Sequence, residues 1–283
     1  MTVLLAVAVG FLAGRLTWVW LRPSFHGPAF ERLNYRGNTV ATAAGLALPV
    51  ALVVVEGGRA LAGAFGVLDK HHEGVLDASR AITMIVALGF GLLGAVDDLA
   101  GTGDPRGFRG HVAALARGRL TSGGLKLLGG ATLALAVAGP AGGGTGARLV
   151  GDAALIALAA NHGHLHDRAP GRVLKSSVAT FAVLAIATGF EKRLVAPAVL
   201  VGAGLGLALD DLHERAMLGD AGANVLGGVL GLGVVLACAP GTRSVVLAVV
   251  LALNLLAEVA SFSRLIEAIP PLRAIDMLGR RPR

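Results

Sequence analysis

Cysteine, aromatic residues and charged residues are all scarce in this sequence. Of its 283 residues, one is a cysteine, 4% are aromatic and 15% are charged. The single cysteine, Cys238, excludes a disulfide framework and a thiolate metal cluster within one chain. Soluble domains usually carry about 25% charged residues, so the low content of charge argues against a soluble fold.

Long apolar stretches recur along the whole chain, at lengths suited to crossing a bilayer, roughly 17–25 residues. The sequence therefore predicts an all-α fold, a polytopic transmembrane helical bundle that forms a single integral membrane domain over residues 1–283. The stretch 59–69 is either an interfacial helix or an extension of the second span, which makes the count nine to ten. The predicted spans cover residues 2–20, 39–56, 81–97, 123–140, 147–161, 173–190, 194–210, 221–239 and 244–262.

The basic residues predict the orientation. A formal net charge of +7 would suggest a nucleic-acid partner in a soluble protein, but basic loops of a membrane protein face the cytoplasm and anionic lipid. Most loop Lys and Arg fall on one side if the N-terminus lies outside, as expected for a multi-pass protein of the inner (plasma) membrane. No Lys or Arg precedes Arg15, so the first segment is predicted as a spanning helix rather than a cleaved signal.

With this orientation, four polar clusters lie on the cytoplasmic side. They read "NYRGNTV", "VDDLAG", "NHGHLHDRAPGRVLK" and "DDLHERAMLGDAGAN". Loops that are distant in sequence are thus expected to converge on one membrane face, as they would around a cytoplasm-facing active site.

Asp97 and Asp98 end the apolar run "FGLLGAVDDLA" without a spacer. Adjacent carboxylates repel each other and are partly desolvated at a membrane edge, so a cation is expected beside them. Mg²⁺ suits such a place, because it takes one or two carboxylates together with water and phosphate oxygens. The alternative is a helix end with two solvated acids.

Asp220 is predicted at the start of a helix, in "MLGDAGANVLGGVLG". An acid there is commonly an N-cap, yet a positive helix end beside Mg²⁺ also suits a phosphate. Asp210 and Asp211 are interpreted as the end of the preceding span, paired with Arg215, with a second ion site as the alternative.

The loop after residue 160 carries four candidates for substrate contacts. Asn161 and Asp167 are suited to orienting a nucleotide or a metal-bound water. Arg172 offers bidentate phosphate contacts and Lys175 a point charge.

Three histidines, His162, His164 and His166, lie in the same predicted loop. Their spacing does not define a tetrahedral zinc site, and no further His or Cys is near in sequence. Contacts with substrate or with other site residues are the preferred interpretation.

Asn34 and Arg36 precede the second span and are candidates for substrate contacts. For Arg36, an ordinary basic residue of a cytoplasmic loop is an equally good explanation. Lys126 lies a few residues inside a span, where a lone charge is costly unless it is paired or reaches an aqueous cavity. Its alternative is to extend to the membrane surface.

The order of these motifs resembles the polyprenyl-phosphate N-acetylhexosamine-1-phosphate transferase superfamily, which includes the phospho-N-acetylmuramoyl-pentapeptide transferase and undecaprenyl-phosphate GlcNAc-1-phosphate transferases. "VDDLAG" matches the family's Asp-Asp, and "LGDAGANVLGGVLG" matches its Gly-Asp-x-Gly. The resemblance covers roughly residues 30–240. Its further matches are Asn161, Leu165, Asp167 and Gly171 in the family's Asn-rich loop, and the basic residues Arg36 and Lys126.

The chain departs from the family in two places. In the Asn-rich loop, His164 replaces the second Asn and Pro170 the second Asp. The late histidine cluster of the family is missing, since no histidine follows His213. Arg264, Glu267 and Arg273 are the candidates to replace it, so the sugar nucleotide stays open.

The resemblance implies transfer of a sugar-1-phosphate from a UDP-amino sugar to a polyprenyl phosphate, with release of UMP, in cell-envelope polymer synthesis. Mg²⁺, or Mn²⁺ in its place, would be held by Asp220 and one of Asp97 and Asp98, the other aspartate positioning or deprotonating the lipid phosphate. The implied substrate-binding residues are Asn34, Arg36, Lys126, Asn161, His164, Asp167, Arg172 and Lys175. A homodimer is compatible with the resemblance.

Three alternatives stay open. A transporter or flippase for a lipid-linked or anionic solute would also use charged residues at helix ends, but such proteins tend to place them near mid-bilayer and to show internal repeats. A CDP-alcohol phosphotransferase would carry a D-G-x-x-A-R array, which is absent from the sequence. The third alternative is a member of the family that binds substrate without catalysis.

Overall fold

The computed structural model describes residues 2–25, 27–34, 36–68, 77–100, 116–118 and 121–281. Over these ranges the chain is almost entirely helical, with one two-stranded sheet, β1 (Glu31–Leu33) and β2 (Thr39–Ala41). This confirms the predicted all-α class. The helices are α1 (Val3–Leu21), α2 (Ala47–Ala64), α3 (Ala78–Ala100), α4 (Ser122–Gly142), α5 (Ala147–His166), α6 (Arg172–Ala187), α7 (Val195–Leu212), α8 (Asp220–Ala237), α9 (Pro240–Val259), α10 (Phe262–Ala268) and α11 (Pro270–Met277).

Seven helices of the described chain are long and apolar enough to cross a membrane, namely α1, α2, α3, α4, α7, α8 and α9. The predicted spans 147–161 and 173–190 also form helices, but neither α5 nor α6 belongs to the seven. Helix α6 has only 16 residues, and α5 carries Arg148, Asp152 and three histidines among its 20 residues. The predicted count of nine to ten spans thus stays a prediction.

Helix α8 is the centre of the bundle, because 94% of its residues are buried inside the protein. It packs mainly against α5 and α3, and less extensively against α6 and α7. Helix α9 is its opposite, with 6% buried, and it lies at the periphery. A polar side chain in the first turns of α8 therefore lies between several helices.

Glycines allow close packing of α1 against α7. A Cβ at Gly10 or Gly14 would overlap the backbone of Val199 or Ala203, and a Cβ at Gly202 would overlap the backbone of Val7. Small residues at such spacing let two helices in lipid approach each other closely.

The second span begins later than predicted. Residues 39–41 form β2, which pairs antiparallel with β1 and forms a bridge from Ala41 to Ala216. Helix α2 begins only at Ala47 and continues to Ala64, so residues 59–64 of the ambiguous stretch extend the second span. Apolar residues before Ala47 made the strand resemble the start of the helix.

The four polar clusters meet at one end of the bundle, as predicted. Asn34 of the first cluster contacts Glu214 of the fourth, and the backbone of Asp220 contacts Asp98 of the second. The third cluster joins them through Gly171, whose N–H donates to Asp211 at 2.6 Å.

Candidate functional site

Asp98 joins the end of α3 to the start of α8. Its Oδ1 and Oδ2 accept hydrogen bonds from the backbone N–H groups of Asp220 and Ala221, each at 3.0 Å. Unpaired amides and the partial positive charge of a helix N-terminus both favour a carboxylate. The preceding Gly219 has φ +71°, and a Cβ there would lie 2.5 Å from Asp98 Oδ2, so glycine is required for this approach.

This contact excludes the N-cap interpretation of Asp220. The start of α8 is capped by Asp98, and Asp220 is the first residue of the helix rather than its N-cap. The carboxylate of Asp220 is therefore directed to other partners.

Lys126 of α4 lies between Asp97 and Asp220. Its Nζ is 2.6 Å from Asp220 Oδ2 and 3.5 Å from Asp97 Oδ2, and Ser122 Oγ donates to Asp97 Oδ1 at 2.8 Å. Only 14% of the Lys126 side chain is exposed, so this lysine turns inward to the acids and does not extend to the membrane surface. Its ammonium group is a cation beside the acid pair.

His164 completes the surroundings of Asp220. Its Nδ1 contacts Asp220 Oδ1. The predicted loop of three histidines is wrong, because α5 continues to His166 and all three lie on its last turns. His162 and His166 stack on each other with ring centroids 4.4 Å apart, whereas His164 reaches the acidic residues.

Asp167 follows α5 and lies within electrostatic reach of the same acids. Burial raises the pKa of Asp167 well above its usual value, and the charges of Asp211, Asp220 and Asp98 raise it further, while Lys126 lowers it. Such repulsion is expected where carboxylates outnumber cations. We call Asp97, Asp98, Lys126, His164, Asp167 and Asp220 the acidic cluster.

The donor atoms of the acidic cluster suit Mg²⁺, although no group of three or more His, Cys, Asp or Glu side chains within the described residues is arranged to hold a metal ion. Mg²⁺ needs only one or two carboxylates when water and phosphate oxygens complete its shell. Asp98 uses both oxygens on the amides of α8. The oxygens of Asp97 and Asp220 contact the side chains of Lys126, Ser122 and His164, which a bound ion would have to displace in part.

Arg32 was not predicted as a site residue, yet it holds the other side of this helix end. Its Nη2 donates to the carbonyl oxygens of Asp98 at 3.1 Å and Leu99 at 3.3 Å. A cation at a helix C-terminus is stabilising. No local signal could reveal the contact, since 66 residues separate Arg32 from Asp98.

Asn34 and Arg36 both contact an acid of the fourth polar cluster. Asn34 Oδ1 accepts from the N–H groups of Arg36 and Asn38, both at 2.9 Å, and so shapes the turn of the β-hairpin. The side chains of both predicted residues bind Glu214, at 2.9 Å from Asn34 and 3.0 Å from Arg36. Glu214 was not predicted, because a lone acid in a loop carries no pattern.

Asn161 faces another helix. Its Nδ2 donates to Asn254 Oδ1 of α9 at 2.7 Å.

Asp210 pairs with Arg215 at 3.3 Å, as predicted, and also with Arg15 at 2.5 Å. Asp211 instead binds backbone amides, of Gly171 and of Leu218.

Arg172 and Lys175 hold the C-terminal tail. Arg172 makes a bidentate contact with Asp276 of α11 at 2.9 and 3.0 Å and donates to Ser263 Oγ at 2.9 Å. Lys175 Nζ donates to the carbonyl oxygen of Asp276 at 2.7 Å, and Arg280 binds the same carboxylate at 2.5 Å. We call this group the tail clamp.

The tail clamp shifts the ionisation of its carboxylate. Burial alone would raise the pKa of Asp276, but the hydrogen bonds and charge of Arg172, together with the charge of Arg280, outweigh burial and hold that pKa below its usual value. The tail residues predicted to replace the histidine cluster, Arg264, Glu267 and Arg273, are exposed.

No protein-family model matches the chain, and no curated protein matches it. Membership of the family that the motifs resemble stays a prediction. The function is therefore argued from the geometry of the acidic cluster.

Proposed function

We propose that this protein is a membrane-embedded phosphotransferase, which moves a sugar-1-phosphate from a UDP-amino sugar to a polyprenyl phosphate and releases UMP. One observation carries the proposal. Asp97 at the end of α3 and Asp220 at the start of α8, which are distant in sequence, share the ammonium group of Lys126. Carboxylates and cations meeting at helix ends are what a reaction between two phosphates requires.

In the proposed reaction, an oxygen of the lipid phosphate forms a bond to the phosphorus that carries the sugar. The bond from that phosphorus to the bridging oxygen of UMP breaks, and UMP leaves with the negative charge. The lipid phosphate is already largely anionic near neutral pH, so the step needs charge neutralisation more than a base. Lys126 and His164 would contact phosphate oxygens.

Mg²⁺ bound by Asp97 and Asp220 would neutralise the diphosphate and align it for in-line attack. Asp98 has a different role, which is to fix the first turn of α8 against the last turn of α3. Asp167, beside the acids, is the remaining candidate for contact with the nucleotide.

Arg36, Arg172 and Lys175 are left out of the proposed phosphate contacts. Arg36 binds Glu214, and the other two hold Asp276. The proposal thus relies on fewer basic residues than the sequence predicted.

The surface beside the acidic cluster suits a lipid acceptor. Leu92 on α3, with Leu127 and Leu128 on α4, is among the exposed large apolar residues of the described chain. Helices α3 and α4 are both long and apolar enough to span a membrane. A prenyl tail would lie along these leucines while its phosphate reaches Lys126.

We place the acidic cluster on the cytoplasmic face of the plasma membrane, because most loop Lys and Arg fall on that side in the predicted orientation.

The test is UMP release by the purified protein in lipid nanodiscs, with polyprenyl phosphate, Mg²⁺ and a panel of UDP-sugars. We expect release with at least one UDP-amino sugar, and a loss of about 100-fold or more in Asp220→Asn, the scale seen when a charge-stabilising group is removed. Glu258→Gln is the matched control, because Glu258 is an exposed carboxylate of α9 and should leave the rate unchanged.

Two results would contradict the proposal. Full activity in Asp220→Asn would remove the acidic cluster from the reaction. Absence of UMP release with every donor, combined with movement of a lipid-linked or anionic solute across proteoliposomes, would favour the transporter alternative.

A further inference from the structure

Asn224 of α8 is a buried amide whose partner is missing. Its side chain is 1% exposed, and neither Nδ2 nor Oδ1 has a hydrogen-bond partner. It is the only amide side chain of the described residues for which both polar atoms are in this condition. Each unpaired buried group costs about 1–3 kcal/mol, so native proteins rarely keep one unless water, an ion or a ligand satisfies it.

Asn224 lies on the face of α8 that carries Asp220. It follows Asp220 by four residues, and side chains at that spacing lie on one face of a helix. The Cα–Cβ bond of a helical residue tilts toward the N-terminus, so the Asn224 side chain leans toward the turn that carries Asp220. Lys126 of α4 reaches Asp220 on this face.

The neighbouring faces of α8 are occupied by other helices. On one side of Asn224, Ala223 packs closely against α5. A Cβ at Gly163 of α5 would overlap the carbonyl oxygen of Ala223. On the other flank Val225 packs against α3, where a Cβ at Gly91 would lie 3.5 Å from Val225 Cγ2. Asn224 lies between these two contacts, in the same seam as Asp220.

Charge indicates what the missing partner is. The acidic cluster holds four carboxylates against one lysine ammonium, while the guanidinium of Arg32 at the end of α3 and the partial charge of the α8 N-terminus add further positive charge. By this count the carboxylates outnumber the lysine and arginine cations. An additional cation would balance this excess. Hard divalent cations accept amide oxygens as well as carboxylates as ligands.

We infer that Asn224 Oδ1 is a ligand of a divalent cation bound by Asp220, so that α8 supplies two oxygen ligands one turn apart. Two side chains at positions i and i+4 of a helix can bind the same metal ion, as in zinc-binding helices. The inference rests on the cation site of the proposed function but is independent of which sugar or lipid is used.

The experiment measures metal binding directly, with Mn²⁺ as the probe and the full chain in nanodiscs, by titration of the Mn²⁺ paramagnetic resonance signal. Asn224→Leu, which keeps the volume and removes both polar atoms, should weaken Mn²⁺ binding about 10-fold or more, the scale expected for residues at a metal site. Asn224→Asp retains an oxygen and should bind at least as tightly as wild type. Thr83→Val is the control, since Thr83 is a buried hydroxyl of α3 that donates to Ser79 O at 2.7 Å.

The outcomes separate this inference from the proposed function. Loss of Mn²⁺ binding in Asp220→Asn, but not in Asn224→Leu, would keep the cation site and overturn the role of Asn224. Wild-type binding in both variants would overturn both. If Asn224→Leu fails to fold, Asn224→Asp decides, because weaker binding in that variant contradicts a ligand role.

Discussion

The acidic cluster and the tail clamp are opposites in charge balance. In the acidic cluster, Lys126 is the lysine that faces Asp97 and Asp220, and the carboxylates are in excess. In the tail clamp, Arg172 and Arg280 bind the carboxylate of Asp276, and Lys175 binds its backbone carbonyl oxygen. Both groups lie at the same end of the bundle.

The difference shows which group is complete without a ligand. The tail clamp satisfies its carboxylate with a bidentate arginine and a second arginine, so it is a structural attachment of α11. The acidic cluster has more carboxylates than cations, and Asn224 on the same helix as Asp220 has no partner, so we expect this group to accept an external cation. Removing a carboxylate should therefore have different effects in the two places.

The largest effect is expected for Asp276→Asn. Both Arg172 and Asp276 are buried, and breaking a buried pair by removing one partner costs about 3–5 kcal/mol. Hydrogen exchange of the α11 amides should show that the free energy of local unfolding of this helix falls by an amount near that range. Arg273→Gln, an exposed change on the same helix, is the control. Unchanged exchange in Asp276→Asn would mean that the apolar contacts of the tail hold it in place.

A smaller effect is expected for Asp97→Asn in the presence of a chelator. Lys126 keeps Asp220 as a partner at 2.6 Å, and the loss of one charge relieves repulsion among the carboxylates. Stability should stay within about 1 kcal/mol of wild type, as measured by thermal unfolding in nanodiscs. Asp152→Asn provides the contrast, since Asp152 is buried and pairs with Arg243 at 2.9 Å. Equal losses in both variants would show that the acidic cluster has no excess of carboxylate.

The smallest effect is expected from pH between 7 and 5. The pKa of Asp276 is lowered in the folded protein, so its contribution to stability is present above the unfolded pKa of about 3.9 and is lost as pH falls through the folded pKa. Protection of the α11 amides, corrected for intrinsic exchange, should be constant from pH 7 to 5 and decline only below about pH 4. If protection already declines between pH 6 and 5, a group other than Asp276 controls the stability of the tail clamp.

Most helices could be predicted from the sequence because apolar runs of sufficient length leave few alternatives in lipid. Asp97, Lys126 and Asp220 were predicted as one site, and the structure brings them together. Each had a local signal, since charged residues inside or next to apolar runs are costly unless they are paired, but the resemblance to the transferase family joined the three into one site.

The partners of Arg172 and Arg36 were beyond sequence reasoning. Arg172 meets Asp276 across 104 residues, and Arg36 meets Glu214 on a different loop. An arginine that binds a phosphate and an arginine that binds a carboxylate of its own chain look alike in sequence, because both need the same bidentate acceptor. The β-hairpin before α2 was missed for a similar reason, since its apolar second strand continues into the apolar helix.

The last turn of α3 is held from two sides, by the amides of α8 on the Asp98 carboxylate and by Arg32 on the carbonyl oxygens of Asp98 and Leu99. Asp97 precedes these anchored residues, so the backbone that carries it is immobilised before any ligand arrives. Preorganisation of this kind lowers the entropy lost on binding. A cation or phosphate that enters would meet a carboxylate whose direction folding has already set.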